Sequence, residues 1–567
     1  MLRWTPFRCR YHTSKHLTWA TPSVPKTRAT TTHIPGVSPN GIHQDLRRKE
    51  IRRPQRARSL PPCTPLRHNH CMQSSRRTWI AAPLIARMAR SAVKFDPEYA
   101  TARQTLNALA AGVVSSQELT RHLFARIKKL NPRVNAFVTL REEEALAEAK
   151  KSDANKTRRP LEGLPVTVKD AFATSGIRTT AGSKIWETFI PREDAAAVAK
   201  LRQAGAIVIG KTNLPEFSAD LQAYNAIAGV TSNPWDLSRT CGGSTGGGAA
   251  AIAAGFSYLE LGSDSGGSIR IPAHFCGVFG HKSTVNVVSR IGWMPPAPGE
   301  FRGPNEWSVA GPLARSAEDL QLMLSVIAGP APDDATAYRW VAPAARRKSL
   351  REYRVGWVAD DPFCPVAAET RTALEPVFEA LSKMRGARQG WPPGFDFKRN
   401  FEVFQFLTTA FQASGINEAQ RKALEGEFGG PHEAYARATL DAVRAPYEIW
   451  EKFHIERLKL RAIWRDYFKD FDVLVTPVTI LPAFEHDHTM PRHRRVVRCA
   501  DGASRAYGDL SPWISPAGLS GCPVTTAPVA MSAQGLPVGV QVIGPFLEDL
   551  TPIHFAGLLA TFKRPHL

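Results

Sequence analysis

The chain carries the sequence CGGSTGGG at residues 241–248 and, shortly after it, GSDSGGSIRIP at residues 262–272. Each stretch is a glycine-dense turn with a serine in it, Ser244 in the first and Ser268 in the second. Glycine adopts backbone conformations that other residues resist, so such stretches favour tight turns with a close backbone approach. The alanine-rich residues between the two turns predict a helix.

A third segment, GLPVTVKD at residues 163–170, predicts a buried strand that ends at Lys169. A serine hydroxyl is a poor nucleophile at neutral pH and needs a base within hydrogen-bond reach. A lysine can be that base only when it is neutral, and burial favours the neutral form. Lys169, Ser244 and Ser268 therefore predict acyl transfer by an activated serine, without a catalytic histidine or metal.

The order and spacing of these residues resemble the Ser–Ser–Lys triad of the amidase signature family. Lys169 precedes Ser244 by 75 positions, and Ser268 follows Ser244 by 24. The resemblance extends over residues 92–560. It is supported by three shorter matches: GKTNLPEF at residues 210–217, TSNPWD at residues 231–236 and GLPVGVQ at residues 535–541. It implies an α/β fold, the amidase signature fold, with a central mixed β-sheet covered by helices on both faces.

The resemblance also implies the roles of the site residues. Ser268 resembles the nucleophile, and Ser244, preceded by a cis peptide bond, resembles the bridge that passes the proton to Lys169. The backbone N–H groups expected to form the oxyanion hole are those of Ser265, Gly266, Gly267 and Ser268. The residues expected to support this machinery are Asp264, Arg270 and Thr245, the last standing where the family usually has a second serine. No cofactor and no metal are implied.

Other interpretations of the same residues remain open. GGSTG also fits the G-x-S-x-G nucleophile elbow, which would make Ser244 the nucleophile and require a later aspartate and histidine. Downstream histidines exist at positions 486, 488 and 493. The sequence His486-Asp487-His488 could bind a metal, although a solvated loop is the favoured interpretation. Three further residues near Ser268 are expected to be packing residues: His274, Cys276 and His281.

The favoured function is an amidase that hydrolyses a linear carboxylic amide, a small molecule, to an acid and ammonia or an amine. On this prediction the chain works through an acyl-enzyme on Ser268 and without a partner protein. One alternative, which the family implies, is the glutamine-amidase subunit of a tRNA-dependent amidotransferase. Another is a catalytically silent scaffold of the same fold, which the presence of Lys169, Ser244 and Ser268 argues against.

The charge of the chain is unevenly distributed. Residues 1–90 carry 18 Lys and Arg against two acids, so this extension holds +16 of the net +22 and the other 477 residues hold +6. Few apolar residues and high charge predict disorder there. A transit segment, a nucleic-acid contact or a translation start at Met72 or Met88 would each explain the extension. For residues 91–567 we expect one catalytic domain that binds neither nucleic acid nor membrane, and a cytoplasmic location.

Alternating helical and strand patterns support the α/β assignment. Strands are predicted at residues 164–169, 206–209 and 256–261. A capping box is predicted at Ser115, with a helix that ends at Asn131 and Pro132. A hairpin is predicted at residues 524–543, and an almost continuous helix at residues 438–465, interrupted at Pro446. Residues 330–470 as a whole are helix-prone and charged, and the resemblance implies that this region shapes the substrate pocket.

Overall fold

The computed structural model describes residues 95–294, 306–412, 417–430, 432–560 and 562–565. The predicted N-terminal extension, residues 1–90, lies outside the described residues. In chain order the α-helices are α1 (Ala102–Ala110), α2 (Ser116–Val134), α3 (Glu142–Ala154), α4 (Ala196–Gln203), α5 (Gly246–Ala253), α6 (Arg270–Cys276), α7 (Ala317–Ile327), α8 (Ala368–Ser382), α9 (Phe397–Gln412), α10 (Glu418–Glu425), α11 (Glu433–Arg444), α12 (Tyr447–Asp470), α13 (Ser515–Ser520) and α14 (Leu550–Leu559).

The strands follow the same numbering. They are β1 (Phe137–Leu140), β2 (Pro165–Lys169), β3 (Ile207–Thr212), β4 (Tyr224–Asn225), β5 (Gly229–Val230), β6 (Ser232–Asn233), β7 (Asp236–Thr240), β8 (Leu259–Asp264), β9 (Phe279–Lys282), β10 (Val309–Ala314), β11 (Val355–Trp357), β12 (Arg388–Gln389), β13 (Val473–Pro477), β14 (Val496–Arg498), β15 (Ser504–Ala506), β16 (Val524–Met531) and β17 (Pro537–Ile543).

Eleven strands of the described part of the chain form one sheet, in the order β1-β3-β2-β8-β10-β9-β16-β17-β13-β11-β12. The sheet is mixed, because β2 lies parallel to β3 and β8, whereas β10 lies antiparallel to β8 and β9. Helices flank it, so the predicted α/β class with a central mixed sheet is confirmed. The largest cluster of buried apolar side chains lies along this sheet, with Val166, Val208 and Leu261 among its members.

The three neighbouring strands β3, β2 and β8 are buried along their whole length. The register pairs Lys169 of β2 with Thr212 of β3, and Thr167 of β2 with Glu260 of β8. Successive side chains of a strand point to opposite faces of a sheet. Thr212 shares a face of the sheet with its register partner Lys169, so Lys211, which precedes Thr212, projects from the other face. This alternation decides which charged groups meet in the interior.

The strand predicted at residues 164–169 is β2, which begins one residue later, and the other two predicted strands differ more. The strand predicted at residues 206–209 is β3, which continues to Thr212 and so includes Lys211. The strand predicted at residues 256–261 is β8, which begins and ends three residues later. The cause is tertiary, since every residue of β8 pairs with one of β10, and the partner strand sets its ends. The predicted hairpin of β16 and β17 is confirmed.

The helix predictions were accurate at the caps and less so at the ends. The capping box of Ser115 and Glu118 is present at the start of α2. The helix continues past Pro132 to Val134 and ends at Asn135, which adopts a left-handed conformation with φ 55°. The break predicted at Pro446 is confirmed, because α11 ends before it and α12 begins after it. Among the helices in the described ranges, none combines the length and apolar composition that crossing a bilayer requires.

Candidate active site

Lys169 ends strand β2, and its side chain is completely buried. Its Nζ atom donates hydrogen bonds to Ser244 Oγ at 2.6 Å and to Ser263 Oγ at 2.9 Å. Burial lowers the pKa of Lys169 to about 7, although the nearby carboxylates of Glu260 and Asp264 act in the opposite direction. A large fraction of this amine is therefore neutral near pH 7, as a general base must be.

Ser244 lies in the turn between β7 and α5, directly after a cis peptide bond from Gly243. Gly242 has φ +81°, and a Cβ atom there would lie 2.8 Å from the backbone of Pro272. A Cβ atom on Gly243 would lie 2.7 Å from the backbone nitrogen of Gln222. The glycines of CGGSTGGG thus allow the turn to pack directly against two other backbone segments.

The two serine-bearing turns lie side by side. The backbone N–H of Thr245 donates to the carbonyl oxygen of Ser268 at 3.0 Å. Thr245 Oγ1 also donates to the carbonyl oxygen of Ser263 at 3.2 Å, which ties the first turn to β8. Ser268 is 8% exposed, whereas Lys169 and Ser244 are completely buried. Of the three predicted catalytic residues, Ser268 is the one that solvent can reach.

A buried ion pair holds the loop that carries Ser268. Arg270 Nη2 lies 2.9 Å from Asp264 Oδ1, and both side chains are completely inaccessible. Burial acts to raise the pKa of Asp264, but the charge and hydrogen bonds of Arg270 outweigh it and lower the pKa to about 2. Arg270 Nη1 also donates to the carbonyl oxygen of Ile514 at 2.9 Å. The pair therefore anchors both ends of the loop to the core.

The predicted oxyanion-hole residues are in different environments. The N–H group of Gly267 donates to Asp264 Oδ1 at 3.0 Å, so this donor is engaged by a carboxylate. Gly267 has φ +98°, and a Cβ atom on it would lie 2.9 Å from Ile271. A Cβ atom on Gly266 would meet no atom within 4 Å. The hydroxyl of Ser265 is hydrogen-bonded to that of Ser308.

Two residues of the site were not identified from the sequence. Ser263 accepts the second hydrogen bond of Lys169, and Glu260 lies on the same strand, completely buried. Glu260 Oε1 accepts a hydrogen bond from Thr212 Oγ1 at 2.7 Å. Burial raises the pKa of Glu260 to about 7. An acid inside the apolar run of a predicted strand is the signal that could have revealed it, because an ionised side chain in a core needs a partner.

A second lysine is buried on the neighbouring strand. Lys211 Nζ donates to the carbonyl oxygen of Phe172 at 2.6 Å, to Thr179 Oγ1 at 2.8 Å and to Thr174 Oγ1 at 3.0 Å. It also lies 3.6 Å from Asp170 Oδ1. Burial lowers the pKa of Lys211 to about 8. All of its protons have acceptors, which indicates a structural role for this member of the GKTNLPEF match.

The geometry favours the Ser–Ser–Lys interpretation over the nucleophile elbow. Ser244 Oγ accepts its hydrogen bond from a lysine. His488 stacks on Tyr224 with ring centroids 3.9 Å apart, and His493 lies 3.2 Å from a carboxylate oxygen of Glu427. Neither of these contacts involves Ser244.

Two residues of the His486-Asp487-His488 loop, His486 and Asp487, line a cavity of about 440 Å³ together with Arg239 and Glu369. The loop is held by Gln222, whose Nε2 donates to the carbonyl oxygen of Asp487 at 2.6 Å. Across the part of the chain that the structure describes, no three His, Cys, Asp or Glu side chains are grouped so as to hold a metal ion.

The residues that follow Ser268 are packed in the interior. His274 Nδ1 accepts a hydrogen bond from the N–H of Gly539 at 2.7 Å, and burial lowers the pKa of His274 to about 4. His281 lies 3.1 Å from Asp549. Cys276 is completely buried. These contacts agree with the expected packing role.

Comparisons with known proteins identify the family of the chain. The family model described as Amidase matches residues 118–551. The A subunit of glutamyl-tRNA(Gln) amidotransferase from Thermosynechococcus vestitus is 32% identical over 470 residues, which cover 78% of this chain and 93% of that protein. The corresponding protein of Geobacter sp. strain M21 is 33% identical over 470 residues, with the same coverage of both chains.

Solved structures show the same similarity. That of the A subunit of glutamyl-tRNA(Gln) amidotransferase from Thermotoga maritima is 28% identical with a TM-score of 0.64, covering 82% of this chain and 94% of that one. A crystal structure described simply as an amidase is 29% identical, also with a TM-score of 0.64, covering 81% of this chain and 99% of the other. The chain therefore belongs to the amidase, or amidase signature, family.

Proposed function

We propose that this chain is an amidase that cleaves a carboxylic amide through an acyl-enzyme on Ser268. The observation that carries the proposal is the 2.6 Å hydrogen bond between Lys169 Nζ and Ser244 Oγ, two groups shut away from solvent. A neutral lysine in this position can take a proton from Ser244, and Ser244 can take one from Ser268 in the adjoining turn. Ser268 is thereby activated without a histidine.

The proposed reaction has two halves. Ser268 Oγ forms a bond to the amide carbonyl carbon while its proton passes through Ser244 to Lys169. The C–N bond then breaks, and the same proton returns through Ser244 to the departing nitrogen. In the second half, a water molecule attacks the acyl-enzyme, the acid leaves, and Ser268 regains its hydroxyl proton. Lys169 is neutral again at the end of each half.

Both halves pass through a tetrahedral intermediate with a negative oxygen. Backbone donors aimed at that oxygen are worth a factor of about 10²–10³ in rate each. We assign this role to the amides of Ser265, Gly266 and Ser268. The N–H of Gly267 has a carboxylate partner, so on this proposal it supports the loop and does not contact the substrate.

Glutamine is the first candidate substrate. The Thermosynechococcus and Thermotoga relatives are both A subunits of a glutamyl-tRNA(Gln) amidotransferase. If glutamine is the substrate, the chain releases ammonia from it and passes the ammonia to a partner protein. These relatives favour it over the expectation of a hydrolase that works alone. The second candidate, hydrolysis of another small amide without a partner, is supported by the solved structure described as an amidase.

The first experiment tests the nucleophile. The full chain is treated with an alkyl fluorophosphonate, and the labelled peptide is identified by mass spectrometry. We expect an adduct on Ser268 that disappears in Ser268→Ala and is strongly reduced in Lys169→Met. An adduct on Ser244 would favour the nucleophile elbow, and a folded chain that takes no label at all would favour the silent scaffold.

The second experiment separates the two substrates. Ammonia release from glutamine and aniline release from acetanilide are measured with the purified chain, and Ser268→Ala is the blank for both. Ser268-dependent turnover of glutamine supports the amidotransferase candidate. Turnover of acetanilide without turnover of glutamine supports the hydrolase that works alone.

A further inference from the structure

Glu260 lies inside the proposed catalytic machinery without belonging to the Ser–Ser–Lys triad. It is completely buried on β8, opposite Thr167 in the register with β2. Thr212, the register partner of Lys169, donates a hydrogen bond to Glu260 Oε1. Thr212 therefore links the carboxyl group of Glu260 to the position on β3 that pairs with Lys169.

The environment of this carboxyl group is unusually constrained. Helix α5 follows the Ser244 turn, and a Cβ atom on its residue Gly248 would lie 2.3 Å from Glu260 Oε1. Gly248 therefore leaves the space that the carboxyl group fills. The other oxygen, Oε2, is buried and has no hydrogen-bond partner. Because a buried carboxylate without a partner is costly, its charge must be balanced by a nearby cation or removed by a proton.

The other charged groups nearby already have partners. The acid on the same strand, Asp264, pairs with Arg270. The lysine of β3, Lys211, projects from the opposite face and lies beside Asp170. The sequences of α5, GGGAAAIA, and of β10, VAGPLA, contain no titratable residue. Burial raises the pKa of Glu260, and the charges of Lys169 and, less strongly, of Lys211 oppose that shift. Of these two cations, Lys169 is the one whose hydrogen bonds go to uncharged serines.

We propose that Glu260 is a positioning residue for proton transfer, whose buried carboxyl group determines how readily Lys169 binds and releases its proton. This assignment rests on the proposed function, because Glu260 would act through Lys169 and Ser244. When ionised, Glu260 stabilises the protonated lysine and makes it a stronger base. When protonated, it leaves the lysine neutral and ready to accept the proton of Ser244. Glu260 and Lys169 together thus allow the lysine to bind and release its proton near neutral pH.

The direction of the effect can be tested with Glu260→Gln, which keeps the shape and can still accept the hydrogen bond of Thr212. Without the carboxylate, protonated Lys169 loses its stabilisation, so the lysine stays neutral to lower pH. We expect the acidic limb of the pH profile for fluorophosphonate labelling of Ser268 to move down by about one pH unit. That shift corresponds to roughly tenfold faster labelling than wild type on that limb.

A second variant, Thr212→Val, removes the hydrogen bond from Thr212 Oγ1, which favours ionised Glu260. It should move the acidic limb in the same direction by a smaller amount, and it carries the test if Glu260→Gln does not fold. Glu260→Asp keeps the charge and should restore a profile close to wild type. The control is Asp319→Asn, which alters another buried acid, one that accepts hydrogen bonds from the N–H groups of Ala102 and Arg103 at the start of α1.

The Asp319→Asn profile should coincide with that of wild type, since its carboxyl group caps a helix. Profiles of Glu260→Gln and Thr212→Val that coincide with wild type would overturn the role of Glu260 and leave the proposed function standing. Absence of label on Ser268 in the wild-type chain would overturn both.

Discussion

Two lysines are buried on neighbouring strands, and the proposed function gives a catalytic role to one of them. Lys169 of β2 donates to the hydroxyl groups of Ser244 and Ser263. Lys211 of β3 donates to a carbonyl oxygen and two threonines and lies beside Asp170. Burial lowers the pKa of both, Lys169 to about 7 and Lys211 to about 8.

If the proposed function is right, burial alone does not make a lysine a base for catalysis. Both side chains are completely shielded from solvent. The difference lies in the acceptors. The hydroxyl of Ser244 lies in the turn that adjoins Ser268, so a proton can pass between these two serines. The threonine hydroxyls that accept from Lys211 donate their own protons to the carbonyl oxygens of Phe172 and Ile177, which cannot pass them on. The four predictions that follow test this distinction, from the largest expected effect to the smallest.

The largest effect is expected from Lys169→Met, which keeps most of the buried volume and removes the base. Loss of a general base typically costs a factor of about 10²–10⁴ in rate. The rate of fluorophosphonate labelling of Ser268 should fall by that factor while the chain remains folded. Lys211→Met is the matched control and should stay within about tenfold of wild type. Equal losses in the two variants would break the distinction between the lysines.

Lys211→Met should instead reduce stability, because it leaves Asp170 buried without its cation. Removing one partner of a buried ion pair costs about 3–5 kcal/mol. Urea denaturation followed by circular dichroism measures the loss. The double variant with Asp170→Asn should recover part of it, since the carboxylate is then absent as well. If the Lys211→Met variant were as stable as wild type, that result would argue against a structural role for Lys211.

The pH dependence of labelling should report Lys169. Its pKa is about 7, and labelling needs the neutral amine, so the rate should reach a plateau above neutral pH. Below the pKa, the neutral fraction falls about tenfold per pH unit, and the rate should fall with it. Lys211→Met should show the same profile. A rate independent of pH across the neutral range would mean that another group activates Ser268.

The smallest effects are expected from the two glycines next to Ser268. Gly267→Ala should cost about 1–2 kcal/mol, because φ +98° strains any residue with a side chain. Gly266→Ala should change stability by less than about 0.5 kcal/mol, since the added methyl group meets open space. Thermal unfolding of both variants provides the comparison. Equal stability losses would contradict the described loop geometry.

Much of the fold could be predicted because its signals are local. The capping box of Ser115 depends on a residue three positions away, and the break at Pro446 depends on the missing N–H of proline. The ends of β8 could not be predicted in this way. They are set by pairing with β10, which lies about 50 positions further along the chain.

The sequence by itself determined the composition of the candidate site. It supplied Lys169, Ser244 and Ser268 at a characteristic spacing, in turns that glycine alone makes possible. The tertiary structure decided the chemistry available to them. It buried Lys169, brought the charge of Glu260 to bear on its pKa and engaged the N–H of Gly267 with Asp264. The reason is that pKa values and hydrogen-bond partners depend on desolvation and on contacts between distant segments, which no local pattern encodes.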